Sequence, residues 1–141
     1  MIHEEICTYD VCKLAKEKGF PQQYDSLTHI YGGEDSFNLG IDLKYEKSEG
    51  ILFDITEWNP SLNDIAAPTQ SLLQRWLREK KNIHIEIVAT ACGYFWIADK
   101  TNGTSITDSD LLDRGVNDGG CWDTYEFALE DALKYILERL I

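Results

Sequence analysis

The sequence predicts an α+β domain over residues 1–141, an antiparallel or mixed sheet of about four strands with three helices packed on it. Three observations predict it. Residues 69–81 carry apolar side chains at helical spacing. Residues 83–89 and 93–98 then change to strand patterning across a glycine turn. Residues 124–140 bear an apolar stripe along their whole length, and such a stripe needs a sheet face to cover it. The 43% hydrophobic share is enough for a core and too high for a disordered chain.

In chain order, Thr8 is placed to cap a short helix over 9–18, with Val11, Leu14 and Ala15 as its apolar stripe. Gly19 sits where a left-handed residue ends such a helix. Phe20 follows where the Schellman motif places its apolar contact, and Pro21 enforces the stop. Residues 22–57 read as β structure. A short strand over 27–31 is closed by Gly32-Gly33. Phe37, Leu39, Ile41, Leu43 and Tyr45 alternate onto one side, 47–50 is a turn by composition, and 51–55 completes a hairpin. Asn59-Pro60 breaks the chain, and 61–65 reads as one helical turn.

Pro68 blocks a helix from entering and Thr69 supplies the next cap. Leu72, Leu73, Trp76 and Leu77 share one stripe of this second helix. Arg75, Arg78, Lys80 and Lys81 suit the negative end of its dipole, and Asn82 suits a left-handed exit. Ile83, Ile85 and Ile87 then alternate with His84, Glu86 and Val88. Tyr94-Phe95-Trp96-Ile97 is apolar on both faces, the pattern of a strand covered on both sides. Such an aromatic run is core more often than binding platform. The connection 99–121 is long for a compact domain, either a functional loop or an excursion over the sheet, with one helical turn over 108–114. Asp123 and Glu126 have capping-box spacing. The stripe of the last helix runs Tyr125, Ala128, Leu129, Ala132, Leu133, Ile136, Leu137 and Leu140. It is core first and a dimer seam second, so the chain is expected to be a monomer or a homodimer. Phe127 lies off the stripe.

The net charge of −12 repels phosphate backbones and anionic membranes, so neither nucleic acid nor membrane is expected as a partner. A protein with a basic surface fits better. No apolar run is long enough to cross a membrane, and MIHEEICTYD has no apolar signal region, so a cytoplasmic location is expected. Cys7, Cys12, Cys92 and Cys121 contain no C-x-x-C pair and read as thiols or small buried residues. His3, Cys7 and Cys12 are too loose a set for a metal. Asp108, Asp110 and Asp113 do not follow the EF-hand order. No cofactor is implied.

No nucleotide-binding glycine motif, nucleophile elbow, H-E-x-x-H or deaminase pattern is present, so no catalytic residue is assigned. The glycine pairs at 32–33 and 119–120 lack a phosphate-loop context. His84 has no visible partner as a general base and reads as a solvated strand residue. Glu4-Glu5 and Glu34-Asp35 are ordinary in an acidic chain. The candidate binding residues are Trp96, Trp122 and His84, beside the long connection.

The segments APTQSLLQRWLREKKNIHIEI and TYEFALEDALKYILERLI, with the early TYDVCKLAKEKGFPQ, carry a resemblance that touches the start, the middle and the end of the chain. The chain resembles a family of small uncharacterised proteins of bacterial prophages and other mobile elements, particularly in gut anaerobes. The matching residues are caps, stripes and aromatics, so the resemblance implies a genetic context and transfers no catalytic role. The expected function is a non-enzymatic accessory module that binds an unknown protein partner. The alternatives are an acidic decoy that mimics nucleic acid towards a DNA-binding protein, and a small enzyme with its site under loop 99–121.

Overall fold

A computed structural model of the chain describes residues 4–22, 27–32, 65–101, 114–117 and 119–141, together with the backbone of 51–54. The expected strand over 37–45, the turn at 47–50, most of the helical turns at 61–65 and 108–114, and His3 lie outside the described residues. The fold is α+β, and the chain divides into two compact units, Met1–Thr69 and Gln70–Ile141.

The first unit holds α1 (Tyr9–Glu17), β1 (His29–Gly32), β2 (Ile51–Asp54) and β3 (Ile65–Ala67). Thr8 caps α1 by accepting from the Val11 amide. At the far end the Phe20 amide donates to Ala15 O at 2.9 Å and the Gly19 amide to Lys16 O at 3.2 Å, with Gly19 at φ 98°. This is the Schellman closure read from the sequence, and Phe20 is buried beside it. β1 lies between β2 and β3, antiparallel to both, so each of its edges is used. β2 pairs with β1; the strand over 37–45 with which the sequence pairs 51–55 lies outside the described residues. Ile65 opens a strand rather than closing a helical turn, because the register Tyr31↔Ile65 to His29↔Ala67 gives its backbone a partner. α1 packs on β3 through Val11, Cys12 and Ala15, all buried. The Tyr31 hydroxyl donates to Cys7 O at 2.7 Å, and Gln22 Oε1 accepts from the Ala66 amide at 2.9 Å.

The second unit holds α2 (Gln70–Lys80), β4 (Ile83–Thr90), β5 (Gly93–Lys100) and α3 (Tyr125–Arg139). β4 and β5 form their own antiparallel ladder, so the described strands fall in two antiparallel sheets, one of three strands and one of two. Asn82 turns α2 into β4 at φ 58°, as its residue type allows. Ile83, Ile85, Trp96 and Ala98 share the buried face of the hairpin. α2 and α3 both pack there, α2 with Leu73, Trp76 and Leu77, α3 with Ala128, Leu129, Ala132, Leu133, Ile136 and Leu137. Gln70 is buried between the helices, where its Nε2 donates to Glu126 O and Glu130 Oε1.

The stripe of α3 is shorter than its sequence pattern. Tyr125 and Leu140, at its two ends, are exposed. The cap also moves by one residue. Thr124, not Asp123, accepts from the Phe127 amide at 3.1 Å, while Asp123 Oδ1 takes a hydrogen bond from Asn117. Thr124→Ala therefore removes the cap and is expected to cost about 1 kcal/mol, read as a lower denaturant midpoint. Asp123→Ala is expected to leave the helix cap intact.

Candidate functional site

The site that the fold builds from chemically active side chains lies at the closed end of the β4–β5 hairpin. The ladder runs from Ile83↔Lys100 to Thr90↔Gly93, leaving Ala91 and Cys92 as the turn. Gly93 has φ 133°, and a Cβ there would run into the Trp122 carbonyl. The close approach exists because Tyr94 and Trp122 exchange both backbone hydrogen bonds, at 2.8 and 2.7 Å. Trp122 thus lies against the outer edge of β5 where the turn begins.

Asn117 fastens this loop. Its Oδ1 accepts from the amides of Gly119 and Cys121, and its Nδ2 donates to Cys92 O at 2.8 Å and to Asp123 Oδ1 at 3.1 Å. Both donors and both acceptor positions of the amide are in use. Gly119 has to be bare, since a Cβ would come within 2.6 Å of Cys92 Cβ and 3.0 Å of its sulfur.

The outcome is a pair of thiols from positions far apart in sequence. Cys92 Sγ and Cys121 Sγ are 3.1 Å apart, longer than the ~2.0 Å of a disulfide bond. Cys92 is exposed and Cys121 is buried. Thr90 Oγ1 lies 3.2 Å from the first sulfur and 3.7 Å from the second, and within 3.1 Å of Gly93 O. Its single proton can swing among these acceptors, so it can support a thiolate when one forms. The hydrogen bond from Thr90, followed by that from Cys121, holds the Cys92 thiol below its ordinary range against the opposing effect of burial.

A second cluster ties the same loop to α3. Arg114 donates from Nε to Asp131 Oδ2 and from Nη2 to Asp131 Oδ1, each at 2.8 Å. Trp96 Nε1 donates to Asp131 Oδ2 at 2.8 Å. The Arg114 guanidinium also lies over the Tyr135 ring, 4.9 Å from its centroid, and Arg139 lies over the same ring at 4.9 Å. The paired carboxylate raises the Arg114 pKa further. This bidentate fork is a structural clamp.

The three residues singled out from sequence do not assemble. Trp96 is buried on the inner face, with its ring 5.5 Å from that of Tyr135. Trp122 is half-buried at the closed end, held through its backbone. His84 is exposed on the outer face, opposite Asp99 and near the open end of the hairpin. Trp96 is core, the ordinary reading of an aromatic strand residue. Cys92 and Cys121 meet only through tertiary folding, so no local spacing pairs them. Their one local sign is that each adjoins a glycine, at Cys92-Gly93 and Gly120-Cys121. Cys7 and Cys12 are both buried, with Cys12 Sγ 3.6 Å from Cys7 O. Among the described residues no group of three or more His, Cys, Asp or Glu side chains is arranged to hold a metal, and no helix is long and apolar enough to cross a membrane. No family model, curated protein or solved structure matches the chain.

Proposed function

We propose that the chain is a non-enzymatic accessory module of a prophage or other mobile element, and that it acts by binding a protein partner. The resemblance of residues 8–22, 67–87 and 124–141 supplies the genetic context. The observation that carries the binding role is Phe127, which is 60% exposed on the first turn of α3. Tyr125 on the same turn and Val116 in the adjoining loop are exposed with it. The Asn117–Asp123 hydrogen bond holds the loop to the start of this helix, so the three belong to one end of the unit. Tyr125 is steadied by edge-on contact with Tyr94, centroids 6.3 Å apart, and so loses little freedom on binding.

Exposed aromatics on a rigid support are the ordinary anchors of interfaces. Asp123 and Glu126 are exposed beside them, and the chain carries −12 overall. The partner this surface fits is a protein with an apolar recess rimmed by basic side chains.

The test is affinity capture from nuclease-treated host lysate with the parent chain and with Phe127→Asp. A stoichiometric partner is expected with the parent. Placing a charge at an anchor is expected to weaken capture roughly thirtyfold or more while circular dichroism is unchanged. Raising the salt concentration is expected to weaken it further. A partner captured equally by both chains, or none at all, would sink the reading.

A further inference from the structure

The geometry points to Cys92 and Cys121 as a thiol–disulfide exchange centre that takes electrons from, and returns them to, the pool of small organic disulfides and thiols. This is independent of the protein-binding role. The grounds are position and access. The sulfurs stand 3.1 Å apart, so closure to a bonded pair is a short movement. One is exposed and the other is buried behind it, the division between an attacking and a resolving thiol.

The surroundings fit that division. The Thr90 hydroxyl reaches both sulfurs, and the lowered thiol pKa of Cys92 raises its thiolate fraction. Asn117 fixes the Cys92 carbonyl and the Cys121 amide together, so the two cysteines are held in place by one side chain. Gly119 lets the loop backbone close against Cys92, where any Cβ would collide with it.

With cystamine as the disulfide, the Cys92 thiol gives its proton to solvent and the thiolate attacks one cystamine sulfur. The cystamine S–S bond breaks, a Cys92–cysteamine bond forms, and the first cysteamine leaves as a thiolate that takes up a proton. Cys121, deprotonated in turn, attacks Cys92 Sγ. The mixed disulfide breaks, the Cys92–Cys121 bond forms and the second cysteamine leaves. The two protein sulfurs are oxidised and the two cystamine sulfurs are reduced. Cystamine is a suitable probe because its positive charge is drawn to a chain of net charge −12.

The experiment incubates the dithiothreitol-reduced, desalted native chain with cystamine and follows it by intact mass and peptide mapping. The expected product has lost two hydrogen masses, carries no cysteamine and contains a Cys92–Cys121 crosslink that dithiothreitol removes under native conditions. Cys7 and Cys12, buried at 0% exposure, are expected to stay unmodified. Cys121→Ser is expected to stop at the mixed disulfide with one cysteamine retained. Cys92→Ser is expected to react at least tenfold more slowly. Stable cysteamine on Cys92 of the parent chain, equal rates for the parent and Cys92→Ser, or a Cys92–Cys121 bond that native dithiothreitol cannot open would each overturn the assignment.

Discussion

Leu133→Ala is expected to lower the unfolding free energy of the second unit by about 3–5 kcal/mol. Leu133 has no exposed surface and sits in the middle of the α3 stripe, between Leu129 and Leu137, which are also buried. Truncation removes its transfer free energy and leaves a cavity. The neighbours cannot fill it, because α3 packs at once on both hairpin strands and on α2. A domain of this size has about 5–15 kcal/mol in hand, so the loss takes a large fraction of it. The measurement is the denaturant midpoint at unchanged slope. Phe127→Ala on the same helix serves as the control and is expected to change stability by no more than about 0.5 kcal/mol, because that side chain faces solvent. Similar losses for the two variants would mean that α3 buries a different face.

Asp131→Ala is expected to cost about 2–4 kcal/mol, through hydrogen bonding rather than a cavity. The carboxylate accepts three hydrogen bonds, two from Arg114 and one from Trp96. Arg114 keeps 31% of its side chain exposed and can return to water when its partner goes. Trp96 is 1% exposed, so its indole N–H is left buried without an acceptor, and this is the larger part of the loss. Trp96→Phe in the Asp131→Ala background removes the orphaned donor and is expected to recover about 1 kcal/mol of it. Arg114→Lys is expected to be only a partial substitute, since an ammonium cannot match the two-oxygen fork. Equilibrium unfolding of these three variants and of Trp96→Phe alone checks the set, and a fully additive double variant would show that Trp96 and Asp131 are not coupled.

Where the determinants are local, the structure follows the sequence closely. The end of α1 needs only Gly19 and Phe20 beside a helical stripe, and the hairpin needs two alternating runs around Gly93. The apolar spacing of α3 also places its buried face correctly from Ala128 to Leu137. The departures occur where a distant residue takes part. Asp123 and Thr124 are both good caps by type, and the choice between them falls to Asn117, which occupies Asp123. The sequence leaves the strand order open, and the place of β1 between β2 and β3 rests on backbone pairing over long separations, which leaves no mark in side-chain period. Trp96 is an aromatic beside a long loop, yet its indole donates to the half-buried Asp131 carboxylate. The Cys92–Cys121 pair depends on a ladder, a loop and one amide all being in place.

The packing of α3 also bears on the order in which the chain is made. The β4–β5 hairpin is complete at Lys100 and has the means to form within roughly 1–10 μs of leaving the ribosome. Its apolar face, with Ile85 and Trp96, is covered in part by a helix that ends at Arg139. At ordinary elongation rates the intervening residues take roughly 2–8 s to synthesise. For that interval the nascent hairpin shows an aromatic surface that the finished protein hides. Among the elements described, the helix that seals this face is the last to be translated.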